Sequence, residues 1–172
     1  GTGNVISIKT EGAAIRNLTV THSSMSRNSE EEYAGIKVYE DGNEIDRVTI
    51  KHSFHGIYLS QAHNNKVTNS HITGLGRGEI ASQGNGIHVY YSNNNILTNN
   101  IIEGTRDGLY FEKANGNEMY GNHLSECRYG LHYMYSNNNY FQDNVFTSNT
   151  GGAAIMESMD NKLVNNEFVF NF

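Results

Sequence analysis

Histidine, tyrosine and methionine recur in this sequence at fixed offsets from a repeated glycine, and chemistry would concentrate there. Two residues past each glycine stand Tyr58, His88, Tyr110, His132 and Ala154; four past stand Tyr39, Ser60, Tyr90, Glu112, Met134 and Met156. Thioether with imidazole is the donor set that selects a soft ion such as Cu(I) over Mg, Ca or Zn. On that ground His132, Met134 and Met156 are the leading candidate metal ligands, with Met159, Glu112, His88 and His123 as a second group. Two other uses of the same side chains stay open. They are plain packing or a protein interface, since Met readily fills gaps, and a platform of rings for sugars.

Other constellations are thin. Asp107, Asp143 and Asp160 fall in different turns, no two Asp are adjacent, and Glu30-Glu31-Glu32 reads as a solvated charge run. A lyase or hydrolase would need clustered carboxylates, as calcium ligands or as an acid and base pair. Neither a nucleophile elbow nor a phosphate-binding glycine loop is present. His22, His52, His55, His63 and His71 lack Met partners and are expected to be solvated. Cys127 aligns with the polar turn residues Thr105 and Asn149, which predicts an exposed bystander thiol; a single cysteine forms no intrachain disulfide.

The elements that must position these side chains follow from a repeat. Gly86-Ile87-His88-Val89-Tyr90, Gly108-Leu109-Tyr110-Phe111-Glu112, Gly130-Leu131-His132-Tyr133-Met134 and Gly152-Ala153-Ala154-Ile155-Met156 start 22 residues apart. Asn95, Asn117, Asn139 and Asn161 keep the same interval, as do Asn100, Asn122, Asn144 and Asn166. Three short strand-like pieces per unit, separated by polar turns, leave no room for a helix. One unit cannot close a core, but stacked units bury Ile, Leu, Val and Phe in common, with each Asn above the next at about 4.8 Å. Asn side chains then bond up and down the stack. The pattern predicts an all-β, right-handed parallel β-helix of about seven coils with Asn ladders, one domain over 1–172. Alternation points the first and third residues after each glycine inward, and the second and fourth outward.

Two intervals break the period. Residues 21–34 and 73–85 are long loops at the same turn, predicted to project from one edge beside the Tyr, His and Met face.

Composition agrees. With 25 Asn, 18 Gly and no Pro in 172 residues, turns and short strands are favoured. A net charge of -6 argues against nucleic acid as a partner, and no apolar run reaches membrane-spanning length. The chain opens Gly1-Thr2-Gly3 without an export signal and stops within a repeat at Phe172, as expected of a fragment. Unpaired strand edges near Phe168 to Phe172 predict end-to-end self-association.

The stretches Arg106-Asp107-Gly108-Leu109-Tyr110, Arg128-Tyr129-Gly130-Leu131-His132-Tyr133-Met134-Tyr135-Ser136 and Ala153-Ala154-Ile155-Met156 resemble the repeats of the NosD-like maturation factors of nitrous oxide reductase. That family lies within a wider superfamily of pectate-lyase-like β-helices. The resemblance implies an extracytoplasmic, copper-handling β-helix without catalysis, partnered by ABC transporter subunits and by the reductase. The alternative expectation is a carbohydrate-binding or carbohydrate-active β-helix of the polysaccharide lyase or hydrolase kind.

Overall fold

The computed structural model describes residues 3–25 and 31–172. The charge-run residue Glu30 and part of the first long loop lie outside the described residues. Among them, twenty-one strands and one 3₁₀ turn, Ile80–Ser82, make up the regular structure. The strands form three parallel sheets of seven, so the chain winds through seven coils as the repeat predicts. Sheet one holds Ile6–Ile8, Ala34–Val38, His55–Ser60, Ile87–Tyr90, Asp107–Glu112, Tyr129–Met134 and Gly151–Met156.

The register is that of the repeat. Ile57 pairs with Ile87, Ile87 with Leu109, Leu109 with Leu131 and Leu131 with Ala153. Down to Leu131 this inward column is fully buried, whereas Ala153 on the last coil is exposed; Val67, Leu97, Met119 and Phe141 on sheet two and Ile72, Ile102, Leu124 and Phe146 on sheet three are fully buried too. The filling changes along the axis, from branched aliphatic side chains in the early coils to rings in the later ones. Tyr133 stacks on Phe141 at 5.5 Å, and Phe146 on Phe168 at 4.6 Å. The Tyr133 hydroxyl enters the core with the ring and has no hydrogen-bond partner.

Turns are held by Asn in two ways. Inner ladders satisfy buried backbone donors: the Asn95 N–H donates to Asn117 Oδ1, the Asn117 N–H to Asn139 Oδ1, and the Asn100 N–H to Asn122 Oδ1. Other Asn residues take left-handed backbone, among them Asn69, Asn94, Asn99, Asn138 and Asn165, which this short side chain tolerates better than most. A third inner column runs through Cys127, Asn149 and Asn171, with the Cys127 N–H on Asn149 Oδ1 and the Asn149 N–H on Asn171 Oδ1. Cys127 is therefore not the exposed thiol its polar neighbours suggested. It is buried against Thr105, 3.3 Å from the hydroxyl, and burial pushes its pKa up.

Both insertions leave the corner after sheet three and return to sheet one, on the predicted edge. The second returns tightly: a Cβ on Gly84 would lie 2.3 Å from the Phe54 carbonyl oxygen, so only glycine fits that crossing.

Candidate functional site

The outward side chains of sheet one and the chain returning from the two insertions enclose a cleft of about 600 Å³. Its floor is a run of rings. Tyr58 and His88 stack at 4.3 Å, His88 and Tyr110 lie 4.7 Å apart, and Tyr110 meets His132 edge-on at 5.2 Å. Lys37 places its ammonium 4.4 Å from the Tyr58 ring centre. Tyr58 and His88 face away from the core yet are only 6% and 5% exposed, because the returning chain covers them. The walls carry Glu32, Gln83, Asn85, Arg106 and Arg128.

One end of the cleft is organised by Asn85, the last residue of the second insertion. Its N–H donates to His55 Nδ1 at 2.8 Å, and its amide nitrogen lies 3.1 Å from His88 Nδ1. Its side-chain oxygen accepts from the Asp107 N–H, which fixes the amide's orientation and makes the nitrogen the donor to His88. Backbone and amide N–H groups only donate, so both imidazoles use Nδ1 as the acceptor and carry their proton on Nε2. Burial keeps His55 neutral, and burial, reinforced by nearby His55, Lys37 and Arg106, holds the His88 pKa well below the usual value. His55 Nε2, aimed toward Glu32 Oε2 at 3.8 Å, has no hydrogen-bond partner. The His55 ring holds the Glu32 carboxyl below the usual range despite partial burial.

This end corrects two expectations. His55 is not a solvated histidine but a 3% exposed part of the cleft, and Glu32 leaves the solvated charge run to face it. Glu32, His55 and His88 do converge closely enough to hold an ion. Their tautomers argue otherwise, because a metal on Nε2 would force a proton onto an Nδ1 that already faces an N–H donor. The set is instead a pair of donors beside an acceptor.

The other end is built around Asp107, which is not isolated in its turn. It is 1% exposed and accepts two hydrogen bonds from Arg128, at 2.9 and 2.7 Å, and one from His132 Nδ1 at 3.0 Å. Burial works to raise its pKa, but the hydrogen bonds from His132 and Arg128 prevail and hold it below the usual carboxylate range. With Nδ1–H donated to Asp107, His132 keeps its lone pair on Nε2, which is buried without a partner. Tyr110 donates to Glu112 at 3.3 Å, and its hydroxyl lies 3.9 Å from the Met134 sulfur. Burial beside Glu112 pushes the Tyr110 pKa up to about 12.

Of the metal ligands expected from the sequence, His132 and Met134 share one strand, Glu112 pairs with Met134, and Met134 pairs with Met156 on the next coil. Met156 is 48% exposed, and Met159 lies beyond the strand, 67% exposed. His88 lies two coils from His132, with Tyr110 between them in the register. His123 is on sheet three, away from this face. Sequence reasoning missed Asn85, Asp107, Arg128 and Glu32. His55, Asn85, Asp107 and Tyr129 all occupy the position before the repeat glycine, a column that alternation alone did not single out.

None of the curated proteins compared with this chain matches it. Among solved structures, the catalytic domain of a GH87 alpha-1,3-glucanase in complex with nigerose is similar in fold, with a TM-score of 0.54 at 14% identity over 91% of this chain. The chain spans only 32% of that structure's length. A Geobacillus virus E2 protein, ORF18, aligns over 94% of this chain and 50% of its own at 11% identity, with a TM-score of 0.28. The family model for the right handed beta helix region matches residues 4–168, and with the seven coils and three parallel sheets it follows that this chain belongs to that family.

Proposed function

We propose that the cleft on sheet one binds a carbohydrate chain laid along the helix axis. The observation that carries this reading is the pair of half-buried rings at the cleft surface, Tyr90 and Tyr110, seated beside the covered Tyr58–His88 stack and flanked by polar groups. Sugar faces pack on rings, while hydroxyls take donors and acceptors together. His88 Nε2–H, Lys37 and Arg106 supply donors, and Glu32 and Glu112 supply acceptors. Glu32 and Asp107 are both held below the usual carboxylate range, so neither keeps the proton that a glycosidic acid needs. That favours binding over hydrolysis at these two groups. The test is affinity electrophoresis in gels containing neutral and acidic polysaccharides. At least one polysaccharide should retard the protein, and Tyr110→Ala should weaken the retardation tenfold or more. Absence of retardation across the panel, or retardation indifferent to Tyr110→Ala, would overturn the reading.

A second reading, Cu(I) handling in the manner of the NosD-like factors, is favoured by one observation. His132 donates Nδ1–H to a carboxylate and leaves its buried Nε2 without a partner, the hydrogen-bond arrangement that metal-ligating histidines adopt, with the Met134 thioether on the same strand. Competition titration with Cu(I) separates the two. Loss of affinity in Met134→Leu with glycan binding intact supports copper, and no Cu(I) uptake by the native protein removes it.

A further inference from the structure

We propose a second site, outside the cleft: a transition-metal site formed by the imidazoles of His22 and His52 where the chain leaves sheet three. Both residues are exposed, occupy the same corner one coil apart, and take left-handed backbone with φ of 65° and 50-odd degrees, 51° for His52. Their ring centroids lie 5.2 Å apart at 35°. Two imidazoles bound to one tetrahedral ion through bonds of about 2.0 Å bring their centroids to about 5 Å, which is the spacing these two rings have.

The second insertion orients one of them. His52 Nδ1 donates to the Leu75 carbonyl at 3.3 Å, and Leu75 is itself held by its N–H bond to Gln83 Oε1 at 2.9 Å. His52 Nε2 therefore keeps its lone pair, in the arrangement that backbone carbonyls impose on ligating histidines. A hollow of about 460 Å³ lies over the pair, bordered by Met25 from the first insertion and Arg77 from the second. Imidazole suits divalent copper, nickel and zinc, and open surroundings leave water to complete the coordination. The Irving–Williams order makes Cu(II) the tightest of these. Arg77 opposes any cation here, which separates this site from an anion pocket, where the same residue would help.

The experiment titrates the intact protein with Cu(II), Ni(II) and Zn(II) salts against a chromogenic chelator at neutral pH. The expected result is one ion per chain, Cu(II) tightest, with at least tenfold weaker binding in His22→Ala and in His52→Ala. His123→Ala and His132→Gln leave the affinity unchanged, and Arg77→Ala tightens it. Both histidine variants lie at exposed positions, and a matched circular dichroism spectrum checks that each is folded. Affinity indifferent to both changes, or affinity lost in His132→Gln, overturns the assignment; so does weaker binding in Arg77→Ala.

Discussion

Removing one rung from an inner Asn ladder tests whether side-chain amides, rather than core packing alone, set the corners of this solenoid. Asn139 is 1% exposed. Its Oδ1 accepts from the Asn117 N–H at 2.8 Å and from Asn117 Nδ2 at 3.2 Å, and its Nδ2 donates to the Ala114 carbonyl at 3.0 Å. Asn117 Nδ2 keeps a second partner, the Ser92 carbonyl. Asn139→Ala thus strands two backbone groups, the Asn117 N–H and the Ala114 carbonyl, where water has no access. At roughly 1–3 kcal/mol for each buried unsatisfied group, the expected cost is about 3 kcal/mol. For a chain of this length that is about 6–12 °C in Tm. The comparison is Asn137→Ala. Asn137 belongs to an outer ladder: its N–H donates to Asn115 Oδ1 and its Oδ1 accepts from the Met159 N–H. That rung is only half-buried, so water replaces much of what is lost, and about 1 kcal/mol is expected. Urea unfolding of the native protein and both variants, with m values compared, measures the difference. Costs equal within about 0.5 kcal/mol would refute the reasoning, because buried and half-buried amides would then be energetically alike.

Two further outcomes follow from groups with no partner or no proton. Tyr133→Phe deletes a buried hydroxyl that nothing satisfies while keeping the stack on Phe141, so it should stabilise the fold by about 1 kcal/mol in the same urea assay. His55 and His88 are held neutral by burial, with folded-state pKa values below the unfolded one. The unfolded chain therefore takes up protons that the folded chain refuses as pH drops through about 6.5, and stability present above that pH is lost below it, by up to about 1.4 kcal/mol per pH unit for each histidine. Thermal unfolding followed between pH 8 and 5 should show this fall, and it should shrink in His55→Gln.

The architecture was legible because the repeat leaves little freedom. A 22-residue interval of Ile and Leu columns with Asn at the corners admits one way to close a core, and the register found is the register expected. The site was legible only in part. Tyr110, His132 and Met134 stand on the face that alternation assigns them. The buried contacts beneath that face come from residues that look unremarkable alone. Asp107 meets His132 across 25 residues, and Asn85 meets His55 across 30. The second pairing depends on where the insertion returns, which periodicity does not encode; the first starts from the column before the repeat glycine, which alternation alone does not single out. Cys127 was misread for the same kind of reason: a polar column can be buried when its members bond to one another along the stack.

The ladder bonds carry one more implication. The Asn65 N–H reaches Asn95 across 30 residues and the Asn95 N–H reaches Asn117 across 22, yet the bonds measure 2.8 and 2.9 Å. Extra chain at the corner is invisible to the rung beside it. The coils act as a standardised mount and the loops as exchangeable fittings, so grafting a different loop between Thr73 and Gly86 changes the lining of the cleft without renegotiating how the solenoid is wound.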